Sequence, residues 1–173
     1  MRGARAALLL PALLVALLLA GCDDGPRARE GAGLVPGSPA GLVMDRLDGG
    51  SESLDHYRGR VVVLNVWATW CGPCRLEMPG LQWLAGALDP ARHVVLGLSI
   101  DETPALVGEY LRERGITFAR HIDRGGRRFR ERMALPALPL TLILGRDGAV
   151  VWSVQGRREW GDPDVATWVR GFQ

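Results

Sequence analysis

The hydrophobic pattern along the chain changes period several times, and each change marks an element. Residues 60–68, RVVVLNVWA, are almost continuously apolar and rich in β-branched side chains. Such a run is expected of a central strand covered on both faces. From Cys74 the period lengthens. Leu81, Leu84 and Leu88 recur at i, i+3 and i+7, and the pattern stops near Asp89-Pro90. That spacing predicts a helix with one buried face. Pro79 falls inside it and is expected to kink it. Residues 94–100 return to a β-branched and leucine-rich run. Thr103-Pro104 then offers an N-cap followed by proline at the first helical position, and Gly115 suits the residue just past a helix end. Residues 140–144 and 149–154 read as two strands, with Asp147-Gly148 suited to a tight hairpin turn. Asp162-Pro163 opens a last helix whose Val165, Trp168, Val169 and Phe172 share one face. Strands interspersed with helices and closed by a hairpin predict an α/β fold, a mixed central sheet with helices on both faces.

The start of the chain follows a different rule. Residues 6–20, AALLLPALLVALLLA, form an uncharged apolar run of 15 residues behind Arg2 and Arg5. A membrane-spanning helix needs roughly 20. A positive start, a short apolar core and small residues after it read as a secretory signal. Leu19 to Cys22, LAGC, resembles the lipobox of bacterial lipoproteins. That resemblance implies a signal peptide over 1–21, cleavage before Cys22 and a lipid on its thiol. An uncleaved N-terminal anchor is the alternative, and both readings hold the rest of the chain to a membrane outside the cytoplasm. Asp23, directly after Cys22, resembles an inner-membrane retention signal. Residues 23–40 are rich in Gly, Pro and Ala and lack apolar periodicity. Residues 22–40 are therefore expected to be a lipidated terminus and flexible linker, the 18 linker residues reaching on the order of 20–25 Å. Residues 41–173 then form one domain of 133 residues.

Charge excludes one class of partner. The chain carries a net charge of +2, and losing Arg2 and Arg5 leaves it near neutral, which argues against nucleic acid. Arg124, Arg127, Arg128, Arg130 and Arg132 make a local basic run, expected as a solvated helix face rather than a dock for an acidic partner.

Cysteines sharpen the picture. There are three, and if Cys22 carries lipid, one pair remains, Cys71 and Cys74 with Gly72 and Pro73 between them. Such a pair could clamp zinc, lock a loop or shuttle electrons. So short a loop restrains little of the unfolded chain and makes a poor staple. A zinc site needs four ligands, and His56, His93 and His121 stand isolated. No metal and no cofactor is expected. The context favours electrons, because the pair sits where a strand feeds the first turn of a helix. Unpaired N–H groups and the positive dipole end gather there, which favours a thiolate. Cys71 is expected to be the exposed attacking thiol and Cys74, one turn in, the shielded resolving thiol. Pro73 fits the first turn, where a missing N–H costs least.

These residues carry a resemblance. VVVLNVWATWCGPCRLEMPGL, residues 61–81, is similar to the thioredoxin superfamily and to its extracytoplasmic TlpA/ResA-like branch. LDGGSESLDHYRGRVV resembles the branch's N-terminal hairpin, VVLGLSIDETPALVGEYLRERGITF its second βα unit, and PLTLILGRDGAVV its proline-led hairpin. GRREWGDPDVATWVRGF, with Trp160, resembles the tail of TlpA-type members. The resemblance implies a thioredoxin-like fold. It implies that Pro139 is cis, packs against the cysteines and exposes backbone to substrate, Pro136 being the alternative. Trp70, Gly72, Pro73, Leu138 and Pro139 would then line the substrate side. Asn65 stands six residues before Cys71, where thioredoxins carry a buried Asp and this branch commonly Asn. Because Asn takes no proton, another base is needed for Cys74. Glu77, three residues beyond Cys74 on the same helical face, matches the branch's glutamate. The plainer alternative is an acidic residue favoured in a first helical turn. Leu140 and Gly145 depart from the branch's usual Thr and Asp.

The chemistry implied is thiol–disulfide exchange on disulfide-containing proteins. Cys71 attacks, Cys74 resolves, and the partner leaves reduced. In an oxidising compartment the resemblance implies recharging by a membrane electron donor of the DsbD/CcdA kind, with targets in respiratory oxidase copper-centre assembly or cytochrome c maturation. Two rivals are a dithiol oxidase that makes disulfides and a metal-binding chaperone using the same pair. The Gly-Pro dipeptide resembles that of reductants.

Overall fold

A computed structural model describes residues 29–172, with eight strands joined in one sheet in the order β1-β8-β7-β4-β5-β6-β2-β3. The expected signal peptide, Cys22 and the first part of the expected linker lie outside these residues. The seven residues of β4 (Val61–Trp67) are all buried, as their nearly continuous apolar run, broken only by Asn65, requires of the strand at the sheet's centre. β4 pairs in parallel with β5 (His93–Ser99), which pairs in parallel with β6 (Ala119–Ile122). Parallel neighbours need crossovers. α1 (Gly72–Ala87) supplies the first and α2 (Pro104–Glu113) the second.

On its other edge β4 pairs antiparallel with β7 (Leu140–Leu144), and β7 with β8 (Val150–Gln155). A hairpin of β2 (Val43–Arg46) and β3 (Ser51–Ser53) extends the sheet beyond β6. A one-turn helix α3 (Arg127–Arg130) lies in the return from β6 to β7, its Phe129 fully buried, and α4 (Pro163–Arg170) ends the described chain. This is a mixed sheet in a thioredoxin-like arrangement, with helices on its faces.

The helix ends follow local chemistry. Leu81, Leu84 and Leu88 of the α1 pattern are buried. α2 closes as a Schellman motif. Gly115 is left-handed at φ +64°, its N–H reaches Arg112 O at 3.3 Å, and Ile116 N reaches Leu111 O at 2.9 Å. Thr103 occupies the N-cap position, but its side chain makes no capping bond. Asp162 does cap α4, accepting from Asp164 N at 2.8 Å.

Two expectations need correction. Residues 29–40 belong to the expected linker, yet they pack on the domain. β1 (Arg29–Gly31) pairs antiparallel with β8, Val35 is buried, and Ser38 N donates to Arg132 O at 3.1 Å. Main-chain pairing with an open sheet edge needs no side-chain periodicity, so the segment gave no apolar signal. The β7–β8 turn is also longer than a two-residue turn at Asp147-Gly148. Gly148 N donates to Gly145 O at 2.9 Å, which makes Arg146 and Asp147 the central pair. Gly148 follows at φ +82°, the left-handed residue that completes a longer hairpin loop.

Candidate active site

The strand-to-helix junction places the cysteines as the sequence suggests. Cys71 is the N-cap of α1, with Pro73 in the first turn, and its Sγ accepts a hydrogen bond from Cys74 N at 3.3 Å. The two sulfurs are joined in a disulfide. The helix presents no acidic residue in its first turn. Negative charge left on Cys71 Sγ when the disulfide opens therefore meets an N–H donor and the positive end of the helix, with no acidic side chain of that first turn beside it.

The expected contrast in exposure is smaller than the sequence suggested. Cys74 is fully buried, but Cys71 retains only 6% exposure rather than standing open. As N-cap its side chain folds over the first turn instead of pointing to solvent. The open groups are its neighbours. Trp70 is 68% exposed, and Gly72 and Pro73 are exposed. The Leu138–Pro139 bond is cis, Pro139 is buried and Leu138 is half-buried. The carbonyl of Pro139 accepts from Gly156 N at 2.8 Å. Pro136, the other candidate, is exposed.

One helical turn beyond Cys74, Glu77 belongs to a buried polar cluster. Glu77 is 2% exposed and Asn65 fully buried. Asn65 Nδ2 donates to Glu77 Oε1 at 2.6 Å and to Thr141 Oγ1 at 2.9 Å. Trp160 Nε1 donates to Glu77 Oε2 at 3.1 Å, and Arg158 N donates to the same oxygen at 3.3 Å. Burial pushes the Glu77 carboxyl up to about 7, against the pull of the Arg158 N–H, the Asn65 amide, the Trp160 indole and the charge of Arg157. A carboxyl so placed can hold or release a proton near neutral pH.

A second cluster fixes the loop that precedes Cys71. Asp101, 5% exposed at the end of β5, accepts from Thr69 N at 2.9 Å and Thr69 Oγ1 at 2.6 Å, and Ser99 Oγ donates to it at 2.7 Å. The backbone two residues before the disulfide is thereby tied to the next strand.

Among the residues singled out from sequence, Cys71, Cys74, Trp70, Gly72 and Pro73 come from one junction, and Leu138 and Pro139 from the entry to β7. Glu77 lies one turn behind Cys74 on its helix. Sequence reasoning missed Thr69, Asp101, Thr141 and Arg158. The only signals were a polar residue in each of two apolar runs, Asn65 and Thr141, and an Asp closing the β5 run. Cys22 lies outside the described residues.

The family model for AhpC/TSA matches residues 39–153. The thiol-disulfide oxidoreductase ResA of Bacillus thuringiensis subsp. konkukian is 30% identical over 117 residues, covering 68% of this chain and 67% of that protein. Two crystal structures share the fold. One is a thiol:disulfide interchange protein of the thioredoxin family from Chlorobium tepidum TLS, with TM-score 0.65, 22% identity and coverage of 79% of this chain and 98% of that one. The other is a secreted thiol-disulfide isomerase from Corynebacterium glutamicum, with TM-score 0.67, 23% identity and coverage of 86% and 95%.

Proposed function

The chain belongs to the AhpC/TSA family and is a protein thiol-disulfide oxidoreductase; from that premise we propose that it works as a reductase, anchored to the inner membrane and facing the periplasm. The observation that carries the reading is the Cys71–Cys74 disulfide at the start of α1, with Cys74 fully buried and Glu77 buried behind it.

The cycle follows from this asymmetry. In the reduced protein the Cys71 thiolate attacks one sulfur of a partner's disulfide. That S–S bond breaks, a Cys71–partner disulfide forms, and the partner's other sulfur leaves as a thiolate. Cys74 gives up its proton, with Glu77 as the acceptor, and its thiolate attacks Cys71 Sγ. The mixed disulfide breaks, and the partner has gained two electrons. The Cys71–Cys74 disulfide described here is the state so produced. Exposed Trp70, Gly72 and Pro73, with half-buried Leu138 and buried Pro139 at the entry to β7, would form the side on which the partner's disulfide lies. Recharging then requires a dithiol donor in the membrane, of the DsbD/CcdA class. Lipid on Cys22 would keep the domain near it, with residues 23–28 as the remaining tether, since β1 already belongs to the domain. Copper-centre assembly or cytochrome c maturation supplies the disulfides to be reduced.

Direction is tested by the reduction potential, equilibrated against a glutathione or dithiothreitol couple. A value near that of thioredoxin, about −270 mV, supports a reductase, and one near −120 mV supports an oxidase. Partners are tested with Cys74→Ser, which should accumulate mixed disulfides through Cys71. Capture of a membrane dithiol donor and a metal- or haem-site assembly protein supports the assignment. Capture of a broad set of newly secreted proteins supports the oxidase. Cys22→Ser should abolish acylation and release the protein from the membrane fraction. Normal acylation of that variant would remove the lipid anchor from the reading.

A further inference from the structure

Glu77 is held unevenly. Its Oε2 receives two N–H donors, Trp160 Nε1 and Arg158 N. Neither of these groups can become an acceptor. Its Oε1 faces Asn65 Nδ2 at 2.6 Å. A proton placed on Oε2 would point at two N–H groups and displace both bonds. A proton placed on Oε1 meets only the Asn65 amide.

That amide is uneven too. Its Nδ2 serves both Glu77 and Thr141, while its buried Oδ1 accepts no hydrogen bond from any described residue. A half-turn of the amide about its last torsion exchanges Nδ2 and Oδ1 with almost no change in shape. In the turned state Oδ1 faces both Glu77 Oε1 and Thr141 Oγ1. Protonated Glu77 can then donate to it. The Thr141 hydroxyl, free to rotate, changes from acceptor to donor. Glu77 Oε1 thus has a partner in each charge state, as acceptor when ionised and as donor when neutral, while the far atom of the amide, Oδ1 before the turn and Nδ2 after it, has no partner among the described residues; no heavy-atom displacement beyond the amide turn is needed.

We propose that Asn65 and Thr141 form a reversible hydrogen-bond pair with Glu77, the Asn65 amide turning over when Glu77 takes a proton at Oε1, and Trp160 acting as the positioning residue that keeps the proton off Oε2. The inference rests on the reading of Glu77 as proton acceptor for Cys74 and deepens it. The proton that leaves the Cys74 thiol, directly or through water, is bound at Oε1. No electrons move in that step; they move when the Cys74 thiolate attacks Cys71 Sγ. The proton returns to solvent after the disulfide closes. A second carboxylate in place of Asn65 would compete for the same proton.

The oxidised protein isolates this event. Asn65 on β4 and Thr141 on β7 do not titrate in the neutral range. From the loop after β8, the Arg157 charge and the Arg158 N–H act on Glu77. On α1 the joined cysteines carry no ionisable thiol. Among the described groups around it, Glu77 is left to titrate.

The test is NMR of the uniformly 13C,15N-labelled full chain in its disulfide form, from pH 5 to pH 9. The Glu77 carboxyl carbon and the Asn65 side-chain carbonyl carbon are expected to change with one shared midpoint. The Asn65 amide protons should lose their nuclear Overhauser contacts to Thr141 and Glu77 on the acid side. Titration of Glu77 with those contacts unchanged would overturn the proposal, because a simple field effect moves shifts without turning the amide. A Glu77 carbon that does not change over this range would overturn it as well. Trp160→Phe keeps the ring and removes the donor. It should raise the shared midpoint by about one pH unit. An unchanged midpoint alongside a lowered Tm would reduce Trp160 to a packing role and overturn its part. The measurement uses no substrate, so its failure is separate from any failure to exchange disulfides with a partner.

Discussion

Glu77 and Glu52 occupy two polar clusters of the same sheet, and their carboxyls shift in opposite directions. Glu77, 2% exposed and one helical turn beyond Cys74, is bonded by an amide, an indole and a backbone N–H, all of them neutral. Burial wins there and raises it to about 7. Glu52, on β3 with its side chain 21% exposed, accepts from Tyr57 Oη at 2.6 Å and pairs with Nε2 of buried His121. Burial raises it too, but the bonds from Tyr57 and His121 and the charges of His121 and Arg46 outweigh burial and hold it below the usual carboxylate range. The lesson concerns what surrounds a buried acid. Neutral donors alone leave a proton within reach of neutral pH. Donors that bring positive charge, with some solvent, fix the carboxylate. The first arrangement suits chemistry. The second suits a strut, and Glu52 is one: it ties β3 to β6, beside a cavity of about 270 Å³ lined by Arg46, His56, Arg120 and His121.

The largest expected break between the two regions is catalytic. Cys71→Ser or Cys74→Ser should lower turnover of a protein disulfide by about 10³-fold or more, as loss of a reacting group does in other enzymes. Glu52→Gln should leave the same rate within about twofold. A Glu52 variant as slow as a cysteine variant would mean that the two clusters act as one site.

Next in size is the effect of pH on stability. Glu77 has a folded pKa near 7 and an ordinary value of 4.5. The folded state therefore binds the proton more tightly than the unfolded chain does. The contribution of Glu77 is fully present below pH 4.5 and is lost as pH rises through about 7, by about 3 kcal/mol in all. Glu77→Gln should remove this loss. In denaturant unfolding it should match the native chain near pH 4.5 and exceed it at pH 8. The same variant should slow disulfide exchange by about 10²-fold, the usual worth of a positioned acid–base group. Gains in stability with no loss in rate would leave Glu77 a buried acid without a catalytic part.

Gly80→Ala comes third. A Cβ at Gly80 would stand 2.9 Å from Gly161 N and 3.3 Å from Trp160 C, and backbone cannot step aside cheaply. The change should destabilise by about 1–3 kcal/mol and push the Trp160 loop away from α1. The loop holds Glu77 Oε2, so exchange should slow as well. A variant that loses stability and keeps its full rate would show that the exact seat of Trp160 does not matter to the chemistry.

How much of this was legible in the sequence depends on chain separation. β4, α1 and the β7–β8 hairpin were legible because each is specified by a local period, and Cys71 and Cys74 because four consecutive residues bring them together. Glu77 was legible as a candidate through one helical turn. Its partners were not. Thr141 lies 76 residues from Asn65, and Trp160 lies 83 from Glu77, so only the folded sheet juxtaposes them. Asp101 and Thr69 met in the same way, across 32 residues. β1 was read as linker because its bonds are main-chain, and the burial of Cys71 depends on a side-chain turn that composition does not encode. The Glu52 cluster left no trace beyond three histidines that looked isolated, one of which, His121, is its partner.

The smallest effect completes the contrast. Glu52 sits below its ordinary value when folded, so its contribution is present above pH 4.5 and is lost as pH falls through the lower folded value. Glu52→Gln keeps the shape and can still accept from Tyr57, but it gives up the charge facing His121 and Arg46. The expected cost at pH 7 is about 1 kcal/mol, because the group is partly solvated and its bonds are only partly lost. That cost should shrink in acid, where the native chain loses the same charge. Glu77→Gln gains stability as pH rises from 4.5 to 8, and Glu52→Gln forfeits it from the acid side upward. Unfolding curves for the two variants, taken at pH 3.5, 5 and 8, should therefore diverge from the native chain with opposite signs. Curves that move together would mean that burial alone governs both acids, and that the charges around Glu52 count for nothing.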